Sequence, residues 1–199
     1  PNVQGLTAVV VESLLYWIGM VVLWISPLLT MRLISEERRN KTLPLLLSAP
    51  MPMTSIILGK FLGLMGFFLI MLLMLMLMPL SLLFGGTLDF GQLASGLIGI
   101  ILLIGALIAL GLYISTLTPH PTVAAISTYG AFLLLWMLDW TENVGEQQSE
   151  VLTLAYWSIT HHYHPLLKGL FSTADVAYYV LFIALFLILS IHRLDADRI

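Results

Sequence analysis

Apolar positions in this chain do not alternate with polar ones; they run on. Five stretches, at about residues 7–31, 56–84, 93–117, 121–138 and 176–191, are nearly unbroken in aliphatic, aromatic and methionine side chains. Roughly 20 apolar residues wound as helix cross a hydrocarbon core about 30 Å thick. The pattern predicts an all-α polytopic membrane protein, a single transmembrane domain over 1–199. Pro121 opens the fourth run, in the first helical turn where its missing N–H does no harm. The runs recur along the chain and are too long to be secretory leaders.

The connections set the orientation, because lysine and arginine collect on the cytoplasmic side. Arg32, Arg38, Arg39, Lys41 and Lys60 lie between the first two runs, and Arg193 and Arg198 follow the last. The opposite side holds only Lys168. The segment 32–55 and the C-terminus are therefore expected in the cytoplasm, with 139–175 an extracytoplasmic loop. Trp136, Trp140, Tyr178 and Tyr179 fall where an outer aromatic belt belongs. An N-terminus outside the cell calls for a preceding span, so the five helices are expected to be the last five of six.

Composition sharpens the picture by exclusion. With 59% hydrophobic and 10% charged residues the chain lies outside the soluble globular range. A net charge of −3 offers no general field for nucleic acid. Zero cysteines remove disulfides, thiolate metal sites and cysteine nucleophiles.

The cytoplasmic connection carries the most information. A mixed-charge cluster, Glu36, Glu37, Arg38 and Arg39, precedes Thr42, which can cap a new helix with Pro44 in its first turn. Pro50 disfavours helix at Ala49. A two-turn helix is expected with Leu43, Leu46 and Leu47 on one face, too short to stand alone in water. It needs a partner surface, either the lipid headgroups or a cytosolic protein.

The run LLTMRLISEERRNKTLPLLLSAPMPMTSIILGKFLG resembles type-2 ATP-binding-cassette permeases, in the branch named after gliding-motility transporters and related to the permease of nitrous-oxide-reductase maturation. Glu36, Glu37, Arg38, Thr42, Leu46, Leu47, Pro50, Gly59, Lys60 and Phe61 stand in register with that pattern. The sequence departs at Lys41, where the family favours glycine, and at Pro44, where it favours glutamate. The likeness extends to Leu117-Thr118, to 135–140 and to the closing span. It implies a six-helix permease protomer paired with a second, identical or different, in the bacterial inner membrane. A dimer of cytosolic ATPases would bind ATP and Mg, leaving this chain without a cofactor, and 42–49 would be the coupling helix seated in the ATPase. A periplasmic or membrane accessory protein is left open. The Gly59-Lys60 pair is followed by Phe61 and has Thr54 where a phosphate loop needs glycine, so ATP binding is not expected in this chain.

Other features carry two readings each. Met71, Met74 and Met78 share a helix face and could bind cuprous ion, or simply fill apolar surface. His161, His162 and His164 lie in the outer loop, where Leu166, Leu167, Leu170 and Phe171 with Trp157 and Tyr163 suggest an interfacial lid or re-entrant hairpin. Adjacent histidines share no helix face, and no acidic residue follows at ligand spacing. They could make an outer gate pH-sensitive. Glu12 sits one turn inside the outer end of the first span, either in the substrate path or snorkelling to the surface. Gly59 and Gly63, Ser95 and Gly99, and Gly105 and Ala109 stand four apart and permit close helix contact, between protomers or within one bundle.

No H-E-x-x-H, G-x-S-x-G or intramembrane acid–histidine pair is seen, so no enzyme is expected. The few polar groups of the third and fourth spans (Ser95, Ser115, Thr122, Ser127, Thr128) suit a lipidic or amphipathic cargo, or mechanical signalling, better than an ion path. The leading expectation is the permease subunit of an ATP-driven exporter or mechanotransmitter. The alternatives are a scaffold recruiting a non-ATPase partner through the leucine helix, and a lipid-modifying enzyme with a loop histidine as base.

Overall fold

The computed structural model describes residues 6–43, 52–81, 90–144 and 158–196. Among these the chain is all-helical: α1 (Leu6–Thr30), α2 (Ser35–Arg39), α3 (Met53–Leu75), α4 (Leu77–Ser81), α5 (Phe90–Leu117), α6 (Pro121–Val144), α7 (Ile159–Leu167) and α8 (Thr173–Ala196). Four helical segments, Val10–Arg39, Met53–Leu80, Phe90–Leu117 and Thr173–Ala196, are long and apolar enough to cross a membrane. The apolar part of α6, Pro121–Met137, is shorter.

The centre is α5. It packs against α1, α3, α6, α7 and α8, and most of its side chains are buried. Hydrocarbon drives helices together weakly, so close backbone approach matters more here than apolar area. Two glycines of α5 show how the approach is made. A methyl group at Gly111 would collide with the side chain of Thr30 on α1, and one at Gly99 would sit 2.9 Å from Cβ of Leu166 on α7. The small pairs foreseen in the sequence thus divide. Ser95 with Gly99 and Gly105 with Ala109 are buried inside the bundle, whereas Gly59 and Gly63 on α3 meet nothing within 4 Å.

Interruptions of the spans have local causes. Pro27 within α1 cannot donate to the Leu23 carbonyl one turn back. The Ser26 hydroxyl donates to that same carbonyl at 3.5 Å, the substitution a membrane helix requires. The second span breaks at Met76 between α3 and α4, four residues after the last carbonyl it caps, where Pro79 leaves Leu75 without its donor.

Outward faces are apolar. Trp17, Val21 and Trp24 on α1, Leu62, Ile70 and Leu73 on α3, and Leu181, Leu185 and Ile188 on α8 are exposed. In water such a surface would aggregate; in a bilayer it is the lipid or protein contact.

Candidate functional site

Two joints, one at each end of α5, position the residues singled out by the sequence. The first is an elbow after α1. The chain turns over 31–34 and enters α2, whose first turn carries Glu36 and Glu37 and whose last carries Arg38 and Arg39. That order suits the helix dipole. The mixed-charge cluster of the sequence is a short helix. Its N-cap residue, Ile34, has no capping side chain. Ser115 of α5 supplies the cap from a distance: its buried hydroxyl accepts from the N–H of Ile34 and of Ser35, both at 3.1 Å, and donates to the Met31 carbonyl at 3.2 Å. The Ser35 hydroxyl donates to the same Met31 carbonyl.

A second strap comes from α3. Lys60 donates to the Leu33 carbonyl and to Glu37 Oε1, each at 2.6 Å. Lys60 is one-fifth exposed and Glu37 about a third, at 20% and 31%, so the pair is partly desolvated. The Gly-Lys-Phe step thus has a visible task that its sequence did not disclose, which is to fix the elbow from within the second span.

The elbow ends in a Schellman turn. Thr42 N–H donates to Glu37 carbonyl at 3.0 Å and Lys41 N–H to Arg38 carbonyl at 3.3 Å, with Lys41 at φ 57. This is the position where the resembling permeases favour glycine, and the left-handed backbone gives the reason. The Thr42 hydroxyl also donates back to Glu37 carbonyl, at 3.2 Å. Leu43, placed by the sequence on the partner-facing side, is 6% exposed and packed in this chain's own core. Its contact is internal. Leu46 and Leu47, with the rest of 44–51, lie outside the described residues.

The second joint is α7. Its buried residues, Ile159, His162, Tyr163, Leu166 and Leu167, fall at helical spacing and face α5, α6 and α1. Polar bonds pin it. Tyr163 Oη donates to the Leu15 carbonyl of α1 at 2.7 Å, Ser95 Oγ to the Leu166 carbonyl at 2.9 Å, and Gln92 Nε2 to the Leu167 carbonyl at 3.2 Å. Burial pushes the Tyr163 phenol up, keeping it a neutral donor. Leu170 and Phe171, foreseen with the amphipathic stretch, point outward beyond the helix end. Trp157 lies outside the described residues.

The histidines separate. His162 Nδ1 lies 2.7 Å from Asp175 Oδ1, with His162 1% and Asp175 8% exposed. The ring also stacks on Tyr178 at 4.2 Å between centroids. No acidic residue follows at ligand spacing in the sequence; the partner is brought in by the fold, because the turn after α7 returns the chain so that α8 starts at Thr173 and places Asp175 in its first turn. His161 meets the edge of His162 at 5.3 Å, and His164 stacks on Tyr16 at 5.8 Å. Among the described residues no three His, Asp or Glu side chains gather into a metal site. Glu12 is half-buried on α1. Met71 and Met78 line an apolar groove of about 680 Å³ between α1 and the second span, with Trp17 and Val21 opposite; Met74 is exposed.

Apolar helices around a central small-residue span, with a polar elbow at one end and a buried short helix at the other, define a multi-pass α-helical membrane protein. Its family is resolved by sequence. The chain belongs to the ABC-2 family of transporter proteins, whose model matches residues 5–141, from α1 into the last turn of α6. It is a membrane permease component of an ABC transporter. No curated protein and no solved structure matches the chain.

Proposed function

We propose that this permease converts ATP hydrolysis on a pair of cytosolic ATPase subunits into movement of cargo, or of a conformational signal, across the bacterial inner membrane. The elbow carries the reading. Ser115 ties the α1–α2 corner to α5, and Lys60 ties α2 to α3, so a push on the chain just beyond Thr42 reaches three spans as one body. Rigid straps of this kind pass a rigid-body displacement without absorbing it. The ATPase subunits hold ATP and Mg; 42–49 serves as their seat, and Glu36, Glu37, Arg38 and Arg39 flank it.

The arginine-rich side, with the C-terminus, faces the cytoplasm in this reading, and α7 lies on the periplasmic side. A second protomer completes the transporter. The gliding-motility branch rests on the residues quoted above and belongs to the same reading. Cargo is apolar or amphipathic, in keeping with the groove between α1 and the second span, which has Ser13 as its polar group. Purification of the full chain from native membranes in mild detergent tests the assignment. A nucleotide-binding subunit retained in a one-to-one ratio is expected; a complex with stoichiometric partners but no nucleotide-binding subunit would point to the scaffold instead.

A further inference from the structure

A polar cavity of about 240 Å³ lies beside the elbow, lined by Met31, Arg32, Glu36, Arg39 and Asn40 on one side and by Pro121 and Thr122 on the other. It differs in kind from the apolar groove, which lies along residues 10–21 of α1. Arg32 and Arg39 make no ion pair or hydrogen bond within the described residues, Glu36 included. Both arginines are exposed at its rim, where their hydrated guanidiniums can close on an anion that both fork onto. The far wall reinforces the charge. Ala124 N–H is taken by the His120 carbonyl, so the N–H groups of Thr122 and Val123 stand before the first intrahelical bond of α6.

Depth and size narrow the ligand. The cavity sits where α1 leaves its apolar run at Thr30 and where α6 enters its own at Pro121, which is headgroup level. Its volume falls below the several hundred Å³ of a drug-sized site. It suits a phosphate with its immediate ester groups. Basic pockets between spans on the cytoplasmic side are suited to anionic headgroups.

We propose that this cavity binds a phosphate-bearing anion, the headgroup of an anionic phospholipid, between the Arg32 and Arg39 guanidiniums and the first turn of α6. An occupied site would staple the elbow to α6, the one spanning helix near it that neither Ser115 nor Lys60 reaches. The inference concerns lipid recognition and stands apart from ATPase coupling.

Native mass spectrometry of the full chain, delipidated in detergent and titrated with dioleoyl-phosphatidylglycerol, tests it. One lipid per chain should bind at least tenfold more tightly to wild type than to Arg32→Gln/Arg39→Gln. Glu36→Gln, which removes the cavity's negative charge, should tighten binding severalfold, a gain that misfolding cannot imitate. Arg193→Gln, on α8 away from the cavity, should match wild type. Competition by millimolar glycerol 3-phosphate would identify a soluble phosphate as the source, and its failure the lipid; both outcomes support the site when the arginine pair is required. Equal phosphatidylglycerol binding by wild type and the double variant, or an equal loss in Arg193→Gln, would overturn it.

Discussion

Two serines of α5, Ser95 and Ser115, stand 20 positions apart, about 30 Å along a helix and so at opposite faces of a bilayer. Each holds a short helix, and each of those helices ends in a Schellman turn: α2 through Lys41, and α7 through Gly169 at φ +81. The means of attachment differ. Ser115 makes three bonds to the turn that opens a helix of five residues, four of them charged. Ser95 makes one bond to a helix of nine residues whose inner face is already packed. Where apolar burial is scarce, the corner is fixed by polar bonds from neighbouring spans. Where burial is ample, polar bonds to α1, α5 and α8 add to the packing and fix its register. An exposed, strapped corner can be gripped by another protein; a buried, packed helix can only move with the bundle.

The strongest test of this contrast removes one half of the buried pair at the outer joint. Asp175→Leu should destabilise by about 3 kcal/mol in reversible denaturation from mixed micelles, because the buried His162 loses this hydrogen-bond partner. Adding His162→Leu should restore stability to within about 1 kcal/mol of wild type, since both polar groups are then gone. No recovery in the double variant would mean that the pair does more than satisfy itself.

At the inner joint, Ser115→Val should lose about 3 kcal/mol, leaving the N–H groups of Ile34 and Ser35 unpaired, whereas Ser95→Ala should lose about 1 kcal/mol. Equal losses would erase the distinction between the joints. Lys60→Met should cost about 1.5 kcal/mol, the value of charge-assisted bonds discounted for partial exposure. Its larger effect should fall on protease cleavage within 31–43, which should quicken as the elbow loosens. Smallest are the two turn residues: Lys41→Gly should gain about 1 kcal/mol by relieving a left-handed side-chain residue, and Gly169→Ala should lose about as much. The latter also crowds Gln92, whose Cα lies 3.4 Å from the added methyl.

Much of this was open to sequence reading, and the remainder has physical reasons for being hidden. Apolar runs gave the spans because lipid demands continuous helix wherever backbone meets hydrocarbon. The helix in the charge cluster escaped because the hydroxyl that caps it belongs to a serine 80 residues away, a relation no local window contains. Lys60 was visible as part of a motif, but its task depends on the chain doubling back. Asp175 was missed because the fifth span was begun at 176, three residues late; Thr173 ahead of an acidic first turn was the available signal. Lys41 was noticed as a departure from glycine, and the backbone angle explains what the departure costs.

The central claim is that force enters through the segment beyond Thr42 and is carried by the strapped elbow. Nucleotide hydrolysis by the co-purified ATPase complex, with Leu46→Asp/Leu47→Asp in the permease, measures it most directly. Association or cargo-stimulated hydrolysis should fall at least tenfold while the permease keeps its thermal stability. Wild-type association and hydrolysis in a folded double variant would contradict the account.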